Sequence, residues 1–232
     1  MGAKEYRVLS TKKISQTLIQ QAKEKDIFID EIEFIETKPI KDASLKEKIE
    51  HYSKEKIIAI FTSKHAVEAV FSQINFQPDW KVYCTSGKTK ETLLKYIHAD
   101  AIVDTADNAS DLAEKIWVNE HPGFCVFFCG NRRLDVLHDK FLAAQINLQE
   151  LVVYETHLTP QKVGAGYSGI LFFSPSAVRS FFLLNQISHV AILFSIGKTT
   201  KKELQQYSRN RIITAEQPTI ESMMNDVMKL IW

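Results

Sequence analysis

The chain lacks any apolar run near the roughly 20 residues that a bilayer-crossing helix needs. Its opening, MGAKEYRVLSTKK, also lacks the apolar middle of a secretory signal. These absences predict a cytoplasmic protein with no membrane partner. Excess charge is missing too: 29 Lys and Arg stand against 28 Asp and Glu, for a net charge of +1. So small an imbalance gives no general attraction to nucleic acid, and an anionic ligand has to be met by local groups. Cysteine is scarce, and Cys84, Cys125 and Cys129 form no metal-ligand spacing. The last two fall in FCVFFC, which reads as a buried strand in a reducing compartment.

Catalytic signatures are missing as well. There is no G-x-G-x-x-G after the first strand, no G-x-S-x-G elbow and no H-E-x-x-H. SGKT and IGKT end like a phosphate-binding loop, but Val82 and Ile192 occupy the place of its first glycine, so nucleotide hydrolysis is not supported. The histidines are scattered, with His65 alone at a predicted strand end. No site for a metal or an organic cofactor emerges.

What is present is ordinary globular composition, 45% hydrophobic and 25% charged, arranged as short β-rich runs alternating with segments of helical spacing. This alternation predicts an α/β fold with parallel sheets. Strands are expected to end near Ser10, Glu36, Thr62, Thr85, Asp104, Cys129, Tyr154, Ser174, Ser195 and Thr214.

The pattern is written twice. IIAIFTSKHAVEAVF is echoed by GILFFSPSAVRSFF, SGKTKETLL by IGKTTKKEL, and TADNASDLAEKI by TAEQPTIESMM. YRVLSTKK with IEFIETKPI likewise resembles FCVFFCGNRR with LVVYETHL, setting Ile35 beneath Tyr154. The order is A, B, A′, B′, which makes two similar domains. A packs either with B, giving tandem domains, or with B′, so that one domain interrupts the other; the extended, proline-containing crossings IETKPIKD and YETHLTPQ suit the second arrangement.

In open parallel sheets, ligands bind beyond the carboxyl ends of the strands. The residues expected there include Thr11, Lys12 and Lys13; Thr62, Ser63, Lys64 and His65; Ser86 to Thr89; Asn131, Arg132 and Arg133; Ser174 and Ser176; and Gly197, Lys198, Thr199 and Thr200. That set holds cations, hydroxyls and helix starts but no acid, a combination suited to an anion. Helix capping accounts equally well for each hydroxyl alone, namely Ser63, Ser86, Ser110, Ser174, Ser176 and Thr199. Tyr154, at the end of LQELVVY, is either a packing residue at the junction or a phenol projected into a ligand cleft.

Taken in order, IFTSKHAVEAVF, FFCGNRRLDVL, VVYETHL, ILFFSPSAVRSFF, SIGKTTKKEL and AEQPTIESM resemble the uroporphyrinogen-III synthase family over nearly the whole chain. The resemblance implies two similar flavodoxin-like domains joined by a two-stranded connector, one inserted into the other. Residues 1–36 and 157–232 would form the discontinuous domain, 41–152 the inserted one, and 37–40 with 153–156 the connectors. It implies a cleft between them, no cofactor and no metal, and a monomer acting on a small polycarboxylate.

The implied reaction is that of a hydro-lyase in haem and sirohaem synthesis. Hydroxymethylbilane closes to uroporphyrinogen III with loss of water, its ring D inverted through a spiro-pyrrolenine intermediate. Tyr154 would assist departure of the hydroxyl as a proton or hydrogen-bond donor. Thr62, Ser63, Ser174, Ser176, Thr199 and Thr200 would hold carboxylates, with Lys12, Lys64, Arg132 and Lys198 adding charge and His65 touching ligand. The sequence departs from the family where Lys12-Lys13 stand for a common Arg-Pro and His65 for an Asn. The competing reading is a non-catalytic two-domain binding or regulatory protein of the same descent, closing on a small anion.

Overall fold

The computed structural model describes residues 5–230. The chain divides into two compact units, one made of Met1–Glu36 with His157–Trp232 and the other of Thr37–Thr156.

In the first unit, β1 (Tyr6–Ser10), α1 (Gln16–Lys23) and β2 (Ile27–Glu31) come from the start of the chain. A long second part belongs with them: β9 (Gly169–Phe172), α7 (Pro175–Phe182), β10 (Ile192–Ser195), α8 (Lys198–Tyr207), β11 (Ile212–Thr214) and α9 (Ile220–Leu230). The five strands lie in the order β11-β10-β9-β1-β2, and every recorded pair is parallel. Numbered within the unit this is 2-1-3-4-5, the flavodoxin-like order, which reverses between β1 and β9. Strand alternation sends Val8, Leu171 and Phe194 to one face against α1 and α9. Leu9, Ile170, Phe172 and Leu193 go to the other against α7 and α8.

The second unit holds β3 (Ile35–Pro39), which begins just before it, then α2 (Ala43–Ser53), β4 (Ile58–Phe61), α3 (Lys64–Phe71), β5 (Lys81–Thr85) and α4 (Lys88–Leu93). A short 3-10 turn at Ala99–Ala101 leads to β6 (Ile102–Ala106), α5 (Ala109–Glu120), β7 (Phe124–Gly130), α6 (Val136–Ala143) and β8 (Asn147–Leu158). Its sheet runs β3-β8-β7-β4-β5-β6. Without β3 this is the layout of the first unit, permuted: the strand-helix-strand piece that opens the first unit closes the second. Ala59, Phe61, Val82, Val126 and Phe128 pack beneath α2, α3 and α4. Ile60, Tyr83, Cys125, Phe127 and Cys129 pack beneath α5 and α6.

Strand register supports the internal repeat. Ser10 pairs with Glu31 on one side and Leu171 on the other, as Phe127 pairs with Glu150 and Ile60. Glu31 and Glu150 are therefore equivalent, and counting on from them sets Ile35 against Tyr154, as in the sequence alignment.

The strand expected to end near Glu36 is two strands instead. Beyond β2, Phe34 turns into the core and meets Phe181 at 5.3 Å between ring centroids, while the Glu33 carbonyl accepts from the Gln161 amide and the Thr159 hydroxyl. β3 starts only after this turn. In the second copy the corresponding chain stays extended, so β8 is a single strand of 12 residues. All three cysteines are buried strand residues, and desolvation pushes each thiol up to about 12.

Candidate active site

In the second unit, strand order reverses between β7 and β4, and the predicted residues Thr62, Ser63, Lys64, His65 and Arg132 lie at the carboxyl ends of these two strands. Ser63 is the N-cap of α3; its hydroxyl accepts the His65 N–H at 3.2 Å. The cap orients the first helical turn, which carries Lys64 and His65, both half-buried. His65 places Nδ1 3.4 Å from Glu68 Oε2, one turn along the helix.

Tyr154 joins this group through an irregularity in β8. Cys129 pairs with Val152 but Gly130 pairs with Tyr154, so Val153 is an extra residue on β8. Simple alternation would put Tyr154 on the side of Glu150 and Val152. The bulge instead brings it to the face of Leu151 and Val153, packed on the core beneath α3. There the phenol stands beside the Ser63 side chain, and its ring lies 5.8 Å from the His65 ring, centroid to centroid. Burial pushes the Tyr154 hydroxyl above its ordinary range, against the smaller opposing effect of the nearby Ser63 hydroxyl, so the group is protonated at neutral pH.

The loop after β7 holds the end of β8. Asn131 N–H donates to the Tyr154 carbonyl at 3.1 Å, and Asn131 Oδ1 accepts Thr156 N–H at 2.9 Å. Arg132 Nε donates to the Thr156 carbonyl at 3.0 Å. Arg132 thus has an anchoring role while its side chain remains exposed. Arg133 turns away to Asp135 and Glu150.

In the first unit the reversal falls between β1 and β9. Thr11 is buried there, and its hydroxyl and N–H both donate to the Leu171 carbonyl, at 2.8 and 3.0 Å, tying the two strand ends together. The Ser10 hydroxyl donates to the Lys12 carbonyl and accepts its N–H, and the Lys12 ammonium sits 5.8 Å over the Phe173 ring, the residue before Ser174. Ser174 caps α7 by accepting Ala177 N–H at 3.1 Å, leaving Ser176 in the first turn. Lys198 and Thr199 are exposed at the start of α8, one strand further out. Thr200 is 1% exposed and packs into the interior.

Capping and the distribution of acids differ from expectation. Ser63 and Ser174 cap, but Gly87 and Gly197 are the N-caps of α4 and α8, and Asn108 rather than Ser110 caps α5. Ser86 donates instead to Asp107 at 2.5 Å. Folding also brings acids to the strand ends: Glu31 accepts the Ile14 N–H, and Asp107 lies beside Ser86. The site residue overlooked in the sequence is Gly130. A side chain there would run into the Tyr154 ring, with the phenol oxygen 2.7 Å from the added carbon. Its signal, a glycine ending an apolar strand, is too common to be read without Tyr154 in place.

The family model for uroporphyrinogen-III synthase HemD (HEM4) matches residues 16–225. Comparison with curated protein sequences finds no significant match. Among solved structures, a mutant uroporphyrinogen III synthase from the extremely thermophilic bacterium Thermus thermophilus aligns with TM-score 0.66 and 10% identity, covering 97% of this chain and 98% of that one. Uroporphyrinogen-III synthetase from Helicobacter pylori aligns with TM-score 0.65 and 17% identity, over 97% and 99% of the two chains. At such identities these likenesses speak for the fold, while the family match spans nearly the whole sequence. The chain belongs to the uroporphyrinogen-III synthase family.

Proposed function

We propose that this protein is a hydro-lyase that closes hydroxymethylbilane to uroporphyrinogen III, with loss of water and inversion of ring D. The observation that carries the reading is a protonated phenol, Tyr154, at the strand-order reversal of one unit, supported by Ser63 and flanked by His65. The pyrrole nitrogen electrons expel the hydroxyl of the hydroxymethyl group, so the protein needs a donor to the departing oxygen and no nucleophile of its own. A buried phenol serves because it keeps its proton at neutral pH.

The substrate carries eight carboxylates in this reading, and cyclisation without inversion occurs unaided. The catalytic task is to hold the linear molecule so that the substituted carbon of ring D is attacked, forming the spiro-pyrrolenine that fragments and recloses. Orientation of this kind is worth several kcal/mol, up to about 7–11 in the best intramolecular cases. Thr62, Lys64, His65 and Arg132 in one unit, and Lys12, Ser176, Lys198 and Thr199 in the other, supply exposed or half-exposed cations and donors for carboxylates. Ser63 and Ser174 act mainly as caps, Ser63 also supporting Tyr154, and Thr200 is too buried to serve. The working species is a cytoplasmic monomer; among the described residues, no helix is long and apolar enough to cross a membrane.

The test is to supply freshly made hydroxymethylbilane, oxidise the products and separate the I and III isomers. A type III fraction well above the spontaneous background is expected. A fraction equal to that background removes the reading.

A further inference from the structure

We propose that Gly130 is a positioning residue whose missing side chain is the seat of the Tyr154 ring, so that it sets where the phenol stands. The inference rests on the functional reading of Tyr154 and goes beyond it to a residue that touches no reacting atom.

Two independent features support it. The first is space. A Cβ built on Gly130 meets Tyr154 Cζ, Cε2 and the hydroxyl oxygen, at 2.7 Å for the last, nearer than such atoms approach in real proteins. Those atoms belong to a side chain that can rotate, so an added methyl group displaces the ring and leaves the backbone where it is. The second is register. The bulge that carries Tyr154 across to the α3 face lies between Cys129 and Gly130, and it makes Gly130 the direct strand partner of Tyr154. Bulge and glycine act together: one aims the ring at Gly130, and the other leaves room for it.

Backbone conformation does not explain the glycine. Gly87 and Gly166 are the glycines with positive φ among the described residues, so Gly130 has a conformation open to any amino acid. Alanine normally suits the end of a strand better than glycine does. A role confined to backbone conformation therefore predicts that Gly130→Ala is harmless, whereas the positioning role predicts a specific loss.

The expected result for Gly130→Ala is a fall in turnover of about 100-fold, of the size caused by a misplacement of roughly 1 Å, with KM moved far less. Gly130→Ala/Tyr154→Phe should be no slower than Tyr154→Phe alone, because no hydroxyl is left to misplace. Titration of Tyr154, isolated as the phenolate absorbance difference from the matching Tyr154→Phe protein, should move down toward the ordinary tyrosine value in Gly130→Ala as the ring leaves its buried seat. Wild-type turnover with an unmoved titration would overturn the proposal, as would equal fold losses from Gly130→Ala with and without the Tyr154 hydroxyl. Should Gly130→Ala fold poorly, thermal unfolding decides: the loss should vanish when Gly130→Ala is made in a Tyr154→Ala protein, and a loss that persists there refutes the steric account. The titration and unfolding measurements need no substrate. If the wild-type protein yields no excess of type III isomer, the functional reading falls while Gly130 as the seat of the ring is still tested.

Discussion

Arg179 and Glu203 join α7 to α8 in the first unit by two hydrogen bonds, Nε to Oε1 at 2.8 Å and Nη2 to Oε2 at 2.9 Å. The Glu203 side chain is 8% exposed and the Arg179 side chain 44%. Replacing Arg179 by Ala strands a buried carboxylate. A fully buried pair broken in this way costs about 3–5 kcal/mol. Water reaching the half-exposed guanidinium already screens part of the attraction, which lowers the expected loss to about 2–3 kcal/mol. With a urea slope of about 1–3 kcal/mol per molar, the midpoint for the first unit should fall by roughly 0.7–3 M at pH 7, read by far-UV circular dichroism. Arg179→Met/Glu203→Met should recover most of the loss, because no charge is left buried without its partner. A single variant with an unshifted midpoint would refute the reasoning, and so would a double variant less stable than either single one. Because Ser176 lies in the first turn of α7 and Lys198 starts α8, the single variant should also raise KM.

Three further predictions concern individual side chains. Ser174→Ala removes the α7 cap and should cost about 1 kcal/mol in urea unfolding, whereas Ser176→Ala should leave the midpoint in place and raise KM; the opposite pattern would exchange their assigned roles. Native Cys84, Cys125 and Cys129, each pushed up to about 12 by burial, should resist a thiol-specific reagent at neutral pH until the chain is unfolded. Tyr83 is raised to about 12 in the same way. The folded state therefore keeps protons that the unfolded state releases, so stability from these groups is intact below about pH 9 and declines as pH climbs toward 12. Constant urea midpoints across that window would contradict the burial of all four groups.

Much of the fold was legible in the sequence because two signals are strong and local. Strand and helix periods alternate cleanly, and the two copies share strand-end motifs such as FTSKHAV and FFSPSAV. The choice of partner was less accessible. Nothing in the periodicity says whether the piece around β1 and β2 joins the next segment or the distant β9, since that depends on non-local strand pairing. IDEIEFIE reads as one alternating strand, and only the packing of Phe34 on Phe181 explains the turn that splits it.

The site was legible as a set of residue types at strand ends, and its internal roles were not. Ser63, Ser174 and Tyr154 could be named, but the approach of Tyr154 to Ser63 depends on a bulge that offsets β8 by one residue. The expected absence of acids failed for a similar reason. Glu31 and Asp107 lie apart from the cations in sequence and arrive beside strand ends through parallel register. Gly130 escaped notice because space for a ring is a property of two strands together.

The central claim is that Tyr154 assists departure of water in a cyclisation that inverts ring D. Its most direct test is the rate and isomer composition of product formed from fresh hydroxymethylbilane by the wild type and Tyr154→Phe side by side, with thermal unfolding of both. A donor in this role contributes about 100- to 10,000-fold. The account predicts that Tyr154→Phe loses turnover on that scale and that its product drifts toward the spontaneous type I isomer, with little change in melting temperature. Equal rates and equal type III fractions in the two proteins would contradict it.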